Sequence, residues 1–453
     1  MPSSDPEKNR FSARAARYAR VGANVGGVAA RLAGQRLFGR DDETGAAALA
    51  AALGGLKGPL MKVAQLLATV PDLLPPDYAE ELAQLQSDAP PMGPAFVKRR
   101  MVAELGPGWE GRFSAFDRQP AHAASLGQVH RARAPDGTPL AVKLQYPEMA
   151  SAVEADLAQL DVLFSLHRRL GAVIDTREIR KEISERIREE LDYGREAKNA
   201  ALYAAIFAGI PEVRVPRVLE ELSTKRLLSM AWLDGRRLLD YRSAPLEDRN
   251  RLARAMFLAW WHPFATYGVI HGDPHLGNYT VFEEEGEPAG VNLLDYGCIR
   301  IFPPGFVAGV VDLYHGLREG DDERIVAAYE RWGFSGLTRD LVDILNIWAR
   351  FIYGPLLDDR TRTIADGVAP AAYGRKEAFA VHQALKRHGP VVVPREFVFM
   401  DRAAVGLGAV FLHLGAELNF HRLFDDEIAG FAIDDLATRQ SAALAAAGLA
   451  PAA

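Results

Sequence analysis

A single cysteine, Cys298, stands among 453 residues, so no disulfide closes within the chain and a cysteine-built metal site has no basis. Such scarcity suits a reducing cytoplasm, and the place of Cys298 just after Tyr296-Gly297 points to packing. Long apolar runs are missing too. No stretch reaches ~18 uninterrupted apolar residues, so no transmembrane helix is predicted. Met256 to Ile270 comes nearest, but His262, Pro263 and Thr266 interrupt it. No secretory signal is expected at the start, and no internal repeat is visible. A basic excess is absent as well: Lys plus Arg number 53 against 59 Asp plus Glu, a net charge of −6. That balance argues against a nucleic-acid partner. What remains is ordinary for a soluble chain with a sizeable core, 49% hydrophobic and 25% charged. The length suits two or three domains, or one bilobal unit with extensions.

Acids are missing locally from Lys8 to Arg40, where Arg10, Arg14 and Arg17 recur at i, i+4 and i+7, on one helical face. This stretch reads either as a basic amphipathic helix on an anionic membrane surface or as a solvated, Gly-interrupted end. Asp41 to Pro90 reads as a helix pair joined near Pro75-Pro76, with Lys62 and Gln65 three apart on one face. Taken alone, that pair reads as a solvated face. Ala123-Ala124-Ser125-Leu126-Gly127-Gln128 is a small-residue loop without repeated glycines. Behind it, Val129 to Arg133 and Leu140 to Leu144 flank the turn Pro135-Asp136-Gly137-Thr138, which predicts a hairpin with Lys143 on the returning strand. Helices are expected over roughly Met149 to Leu170 and Arg177 to Phe207. On the second, Asp192 and Glu196 share a face, and Glu190 and Glu196 point about 120° apart. Arg226 to Leu233 reads as a strand and hinge. From Leu246 onward the pattern is mostly helical, and the Ala-rich end after Ser441 is expected to fray.

The chemistry concentrates in His271-Gly272-Asp273-Pro274-His275-Leu276-Gly277-Asn278, followed by Leu294-Asp295-Tyr296-Gly297. An Asp and an Asn five apart, ahead of an Asp delivered by the apolar strand Val291 to Leu294, suit Mg-nucleotide phosphoryl transfer. That reaction needs oxygen ligands for a hard cation, a carboxylate near the nucleophile and positive charge on the phosphates. Pro274 keeps the loop out of a helix and the glycines let it turn. The bland reading is a surface loop whose Asp and Asn cap turns; Asp295 on an apolar strand weighs against it.

Lys-x-x-Gln, Ala-rich loop, Ala-Val-Lys, Glu-x-Asp, His-Gly-Asp-Pro-His-x-Gly-Asn and Asp-aromatic-Gly, in that order, closely resemble the UbiB (AarF) family of atypical kinases. The resemblance covers about Leu53 to Ile301 and implies an α+β, bilobal, protein-kinase-like fold. It implies a basic segment 1–40, a helical extension 41–112, a small lobe 113–230, a mostly helical large lobe 231–440 and a flexible tail 441–453. By that resemblance Lys143 holds nucleotide phosphates with Glu196 as its partner, Asn278 and Asp295 hold Mg²⁺, and Asp273 orients the acceptor. Ala123, Ala124 and Ser125 replace the glycine loop, and Met230 and Trp232 on the hinge strand are further nucleotide contacts. Lys62 and Gln65 of the extension meet Glu190 and Asp192 as a regulatory set. Ala64, His122 and Tyr296 stand where the family usually has Gly, Ala and Phe. The implied cofactors are ATP or ADP with Mg²⁺. The implied function is an ATPase supporting ubiquinone or related membrane lipid metabolism, in contact with a lipid or quinone precursor, quinone-biosynthesis proteins and the inner membrane face. Phosphoryl transfer to a small molecule, of the aminoglycoside or choline kinase kind, and a nucleotide-gated scaffold without turnover remain the alternatives.

Overall fold

Turn chemistry closes the first hairpin. Asp136 Oδ1 accepts from Thr138 N at 2.9 Å, Gly137 takes a φ of 88°, and Ala134 N donates to the Thr138 carbonyl at 2.9 Å. In this computed structural model the chain is described at residues 92–451, except 124–125, 148, 152, 155–156, 158–176, 366, 389–390 and 392–393. The basic segment 1–40, the extension as far as residue 91 with Lys62 and Gln65, and Ala124 and Ser125 lie outside the described residues. So does most of the helix expected from Met149 to Leu170.

The strands, in chain order, are β1 (Ala115–Ala123), β2 (Gly127–Arg133), β3 (Pro139–Gln145), β4 (Val213–Arg214), β5 (Leu227–Ala231), β6 (Val269–His271), β7 (Tyr279–Glu284), β8 (Glu287–Leu293) and β9 (Ile299–Ile301). The chain forms two compact units. The first is built from the described residues before 158, with 179–194 and 219–232; the second from 177–178, 195–218 and the described residues after 232.

The first unit is an antiparallel sheet in the order β1-β2-β3-β5. Alternation sends Ala132, Leu140, Val142, Leu144 and Leu227 into a core shared with Phe96, Val97 and Met101 of the helix Pro94–Leu105. β1 escapes a reading by pattern because it is polar and mostly exposed. Its Pro120 sits between two register shifts, which an edge strand tolerates.

The long helix expected from Arg177 to Phe207 is two helices, Arg177–Glu189 and Tyr193–Ile206. Leu191 N and Asp192 N turn back onto the Arg188 and Glu189 carbonyls at 3.2 and 2.9 Å, and the Asp192 carboxylate accepts from Gly194 N at 3.0 Å. A short acidic side chain competing for backbone donors ends one helix and starts the next. Glu190 and Asp192 therefore sit in the break, and the 120° relation expected between Glu190 and Glu196 does not hold.

In the second unit the helix Leu246–Tyr267 is the centre. Met256, Phe257, Trp260 and Phe264 are buried, so its apolar run belongs to a core. Gly268, at a φ of 62°, ends it by donating to the Phe264 carbonyl at 2.9 Å. Packed with it are the sheet β4-β8-β7 and the pair β6-β9. Glu285 and Gly286, with φ of 53° and 88°, make the β7–β8 turn of the kind whose twist suits a hairpin. The Ala-rich end does not fray. It completes the helix Ile433–Ala446, with Leu436 and Leu444 buried and Gln440 Nε2 donating to the Tyr267 and Phe302 carbonyls at 2.8 and 2.9 Å. Apolar burial and satisfied carbonyls outweigh the fraying expected of a terminus.

β4 runs parallel to β8 with Val213 opposite Val291, and Val291 N donates to the Glu212 carbonyl at 2.9 Å. A Cβ on Gly290 would collide with that same carbonyl oxygen. Gly290→Ala is expected to lower stability by about 2 kcal/mol, the usual cost of forcing atoms into a packed site. Denaturant unfolding measures it, and an unchanged midpoint would mean that β4 gives way at no cost.

Candidate functional site

Register decides which side chains share a face of the first unit's sheet. Val129 pairs with Lys143 and Lys143 with Leu228; Arg131 pairs with Ala141 and Ala141 with Met230; His122 pairs with Val129. Lys143 and Met230 thus stand on the face opposite the core. Trp232 extends that row, its N donating to the Pro139 carbonyl at 2.9 Å. Its ring lies 6.2 Å from His122, stacked at 17°, with the Arg131 guanidinium 4.1 Å from its centroid. His122, in place of the family's usual Ala, therefore packs on an aromatic partner. The Lys143 ammonium lies 5.1 Å from the Tyr193 ring centroid, a cation–π distance. Tyr193 has no signal in the sequence, since a Tyr at a helix start is common. Gly127 permits this approach, because a Cβ there would collide with the Leu144 carbonyl and lie 2.7 Å from the Tyr193 hydroxyl.

Gln145 Nε2 donates to the Leu191 carbonyl at 2.9 Å, tying the end of β3 to the turn that carries Glu190 and Asp192. Gln128, the last residue of the Ala-rich motif, accepts from Met92 N at 2.8 Å and donates to Met92 O at 3.3 Å. Its part is to hold the segment ahead of the helix Pro94–Leu105. Ala123 closes β1 and is exposed.

In the second unit the motif residues are tied together through His271, which is fully buried. Its Nδ1 accepts from Asp273 N at 3.1 Å, so its Nε2 carries the hydrogen and donates to the Asp295 carbonyl at 2.8 Å. Asn278 Nδ2 donates to the Asp273 carbonyl at 3.1 Å, and Leu294 N to the Asn278 carbonyl at 2.9 Å. Asp295 Oδ1 accepts from Gly297 N at 2.9 Å, closing the turn after β8. The two motifs, some twenty residues apart in sequence, form one hydrogen-bonded unit. Glu196 joins it: its Oε1 accepts from Tyr296 N at 3.5 Å, while Asn199 of the same helix donates to the Tyr296 carbonyl at 2.9 Å. Tyr296 keeps its hydroxyl in the core by donating to the Leu293 carbonyl at 2.9 Å, and burial pushes its phenol well above the usual range. Cys298 is buried and packs near Gly272.

Sequence reasoning missed Arg402. From the helix Phe397–Leu414 its Nη2 donates to Asp273 Oδ1 at 2.6 Å. At 129 residues' separation, one arginine among many carries no signal.

Residues 84–329 match the ABC1 atypical kinase-like domain. The chain belongs to the ABC1, or UbiB/AarF, family of atypical kinases. It is 31% identical over 280 residues to AarF domain-containing protein kinase 1 of Xenopus laevis, covering 61% of this chain and 54% of that protein. To the atypical kinase COQ8, mitochondrial, of Saccharomyces cerevisiae it is 29% identical over 253 residues, 56% of this chain and 50% of that one. The matched part spans about half the length of these relatives. Among solved structures it is similar to Rv3197 of Mycobacterium tuberculosis, determined in complex with erythromycin. The TM-score is 0.58 at 25% identity, covering 91% of this chain and 99% of that one. The fold is the expected kinase-like mixture of helix and strand.

A family of this kind uses a nucleotide and Mg²⁺ generally. The donors here fit a Mg-nucleotide. Among the described residues no three His, Cys, Asp or Glu gather into a metal cage. Mg²⁺ takes one or two side-chain oxygens and fills its sphere with phosphates and water. Asn278 and Asp295 would supply oxygens in that number, and the Asn278 amide is oriented by the bond from its Nδ2 to the Asp273 carbonyl. No described helix is long and apolar enough to cross a membrane.

Proposed function

We propose that this ABC1-family chain binds ATP or ADP with Mg²⁺ and turns ATP over slowly in support of isoprenoid-quinone or related membrane lipid metabolism. The observation that carries the reading is the bonding of Asp273, Asn278 and Asp295 into one unit around His271. In it Asn278 and Asp295 would hold the metal, which neutralises phosphate charge when bound, and Asp273 orients the attacking water, or an acceptor hydroxyl in its place. Lys143 holds the phosphates, partnered by Glu196, and Met230 and Trp232 contribute to the nucleotide's side of the sheet. Ala123, Ala124 and Ser125 cover it. Lys62 and Gln65 of the extension, with Glu190 and Asp192, restrict the acceptor. The quinone setting is supported by the family resemblance and by the similarity to COQ8. Contact with the membrane through the basic segment 1–40 belongs to the same proposal. The erythromycin bound to Rv3197 supports a second reading, a bulky small-molecule ligand or phosphate acceptor.

Release of phosphate from ATP, measured with and without Mg²⁺, tests the proposal. Lys143→Met is expected to cut turnover at least about 100-fold, as loss of a preorganised charge does, with little loss of folding. Turnover in Lys143→Met equal to that of the wild type would reject the site. Adding erythromycin as the acceptor decides for the second reading if it is phosphorylated.

A further inference from the structure

The helix Phe397–Leu414 meets three successive residues of the loop His271 to Asn278. A Cβ on Gly272 would lie 2.9 Å from the Phe399 ring; Arg402 bonds Asp273; and a Cβ on Gly406 would collide with the Pro274 ring. Positions 399, 402 and 406, at i, i+3 and i+7, form one helix face, and they meet 272, 273 and 274 in order. Gly406 sets the distance, since only a residue without a side chain admits Pro274 so close. Arg402 and Asp273 are nearly withdrawn from water, their side chains 9% and 10% exposed.

Packing alone does not call for this ion pair. A buried charge pair loses much of its attraction to desolvation, and apolar residues of the same volume often hold two elements together as well. What an arginine adds is direction, because its planar, rigid fork fixes where a carboxylate oxygen points. Asp273 sits on a loop, and the bond from Arg402 selects among its side-chain rotamers.

We propose that Arg402 is the positioning residue for Asp273, holding the carboxylate in the one orientation from which it can align the nucleophile, water in ATP turnover. This rests on the phosphoryl-transfer reading above. In this assignment Arg402 acts on the reaction through the Asp273 carboxylate that it bonds. Its loss should therefore appear in kcat and leave nucleotide affinity intact.

The experiment measures Mg-dependent ATP turnover and nucleotide affinity in Arg402→Met, Arg402→Lys, Asp273→Asn and the double variant Arg402→Met/Asp273→Asn. Arg402→Met is expected to lower kcat roughly 100-fold, the scale of loss from a misplaced group, with affinity unchanged. Arg402→Lys, which keeps the charge without the fork, should recover about a tenth of the wild-type rate. The double variant should be no slower than Asp273→Asn alone. Wild-type kcat in folded Arg402→Met, or losses that multiply in the double variant, would overturn the assignment and leave Arg402 a structural strut. If Arg402→Met fails to fold, Arg402→Lys decides: unchanged kcat overturns the assignment and a clear fall with unchanged affinity sustains it. A wild type without Mg-dependent turnover overturns the parent reading and this one with it. A wild type that turns over, an impaired Asp273→Asn and an unimpaired Arg402→Met reject this inference alone.

Discussion

Asp295→Asn is expected to abolish the stabilisation that Mg-nucleotide confers while leaving the unliganded fold intact. The amide oxygen of Asn can still accept from Gly297 N, which donates to Asp295 Oδ1 at 2.9 Å, so the turn after β8 keeps its bond. What is lost is the charge and one acceptor oxygen, and a hard divalent cation depends on both. At about 100 times its dissociation constant, a nucleotide stabilises its protein by roughly 2.7 kcal/mol. Thermal unfolding with ATP, with and without Mg²⁺, should show that gain in the wild type, no gain after chelation, and almost none in Asp295→Asn. An equal gain in the variant would take the metal away from Asp295.

The second large effect is on His271. Replacing it by Ala removes the donor to the part-buried Asp295 carbonyl and strips the buried Asp273 N of its partner. An orphaned buried N–H and an unfilled ring volume together cost about 3–5 kcal/mol. Turnover should fall with it, because Asp273 and Asp295 lose the group that joins their backbones. His271→Phe separates the two causes: it fills the volume without making either bond. If His271→Phe retains wild-type turnover, the ring serves only as filling and the proposed coupling of the two motifs is wrong.

Much of this protein was legible without coordinates because its signals are local. The turn at Pro135 to Thr138, the apolar strand before Asp295 and the Pro and Gly that shape the loop at Asp273 each act over a few residues. The order of the motifs was sufficient for the family and the kinase-like fold. The polar edge strand β1 lacked apolar alternation, and the break at Glu190 to Asp192 lacked the Gly or Pro that usually marks one. There a carboxylate bonded to Gly194 N ends the helical run, a competition that depends on neighbours such as the Lys225 carbonyl, which accepts from Tyr193 N at 3.0 Å. The end after Ser441 reads as loose by composition, yet Leu444 finds a core to enter.

The sequence by itself determined which chemical groups are available, since residue type sets charge, ligand hardness and turn preference. Tertiary structure alone decided which of them meet. It placed Met230 and Trp232 on the Lys143 side of the sheet by register, tied Tyr296 to Glu196 and Asn199, and brought Arg402 onto Asp273. Pairings at such separations depend on helix faces and strand registers set by the whole core, and no local pattern encodes them.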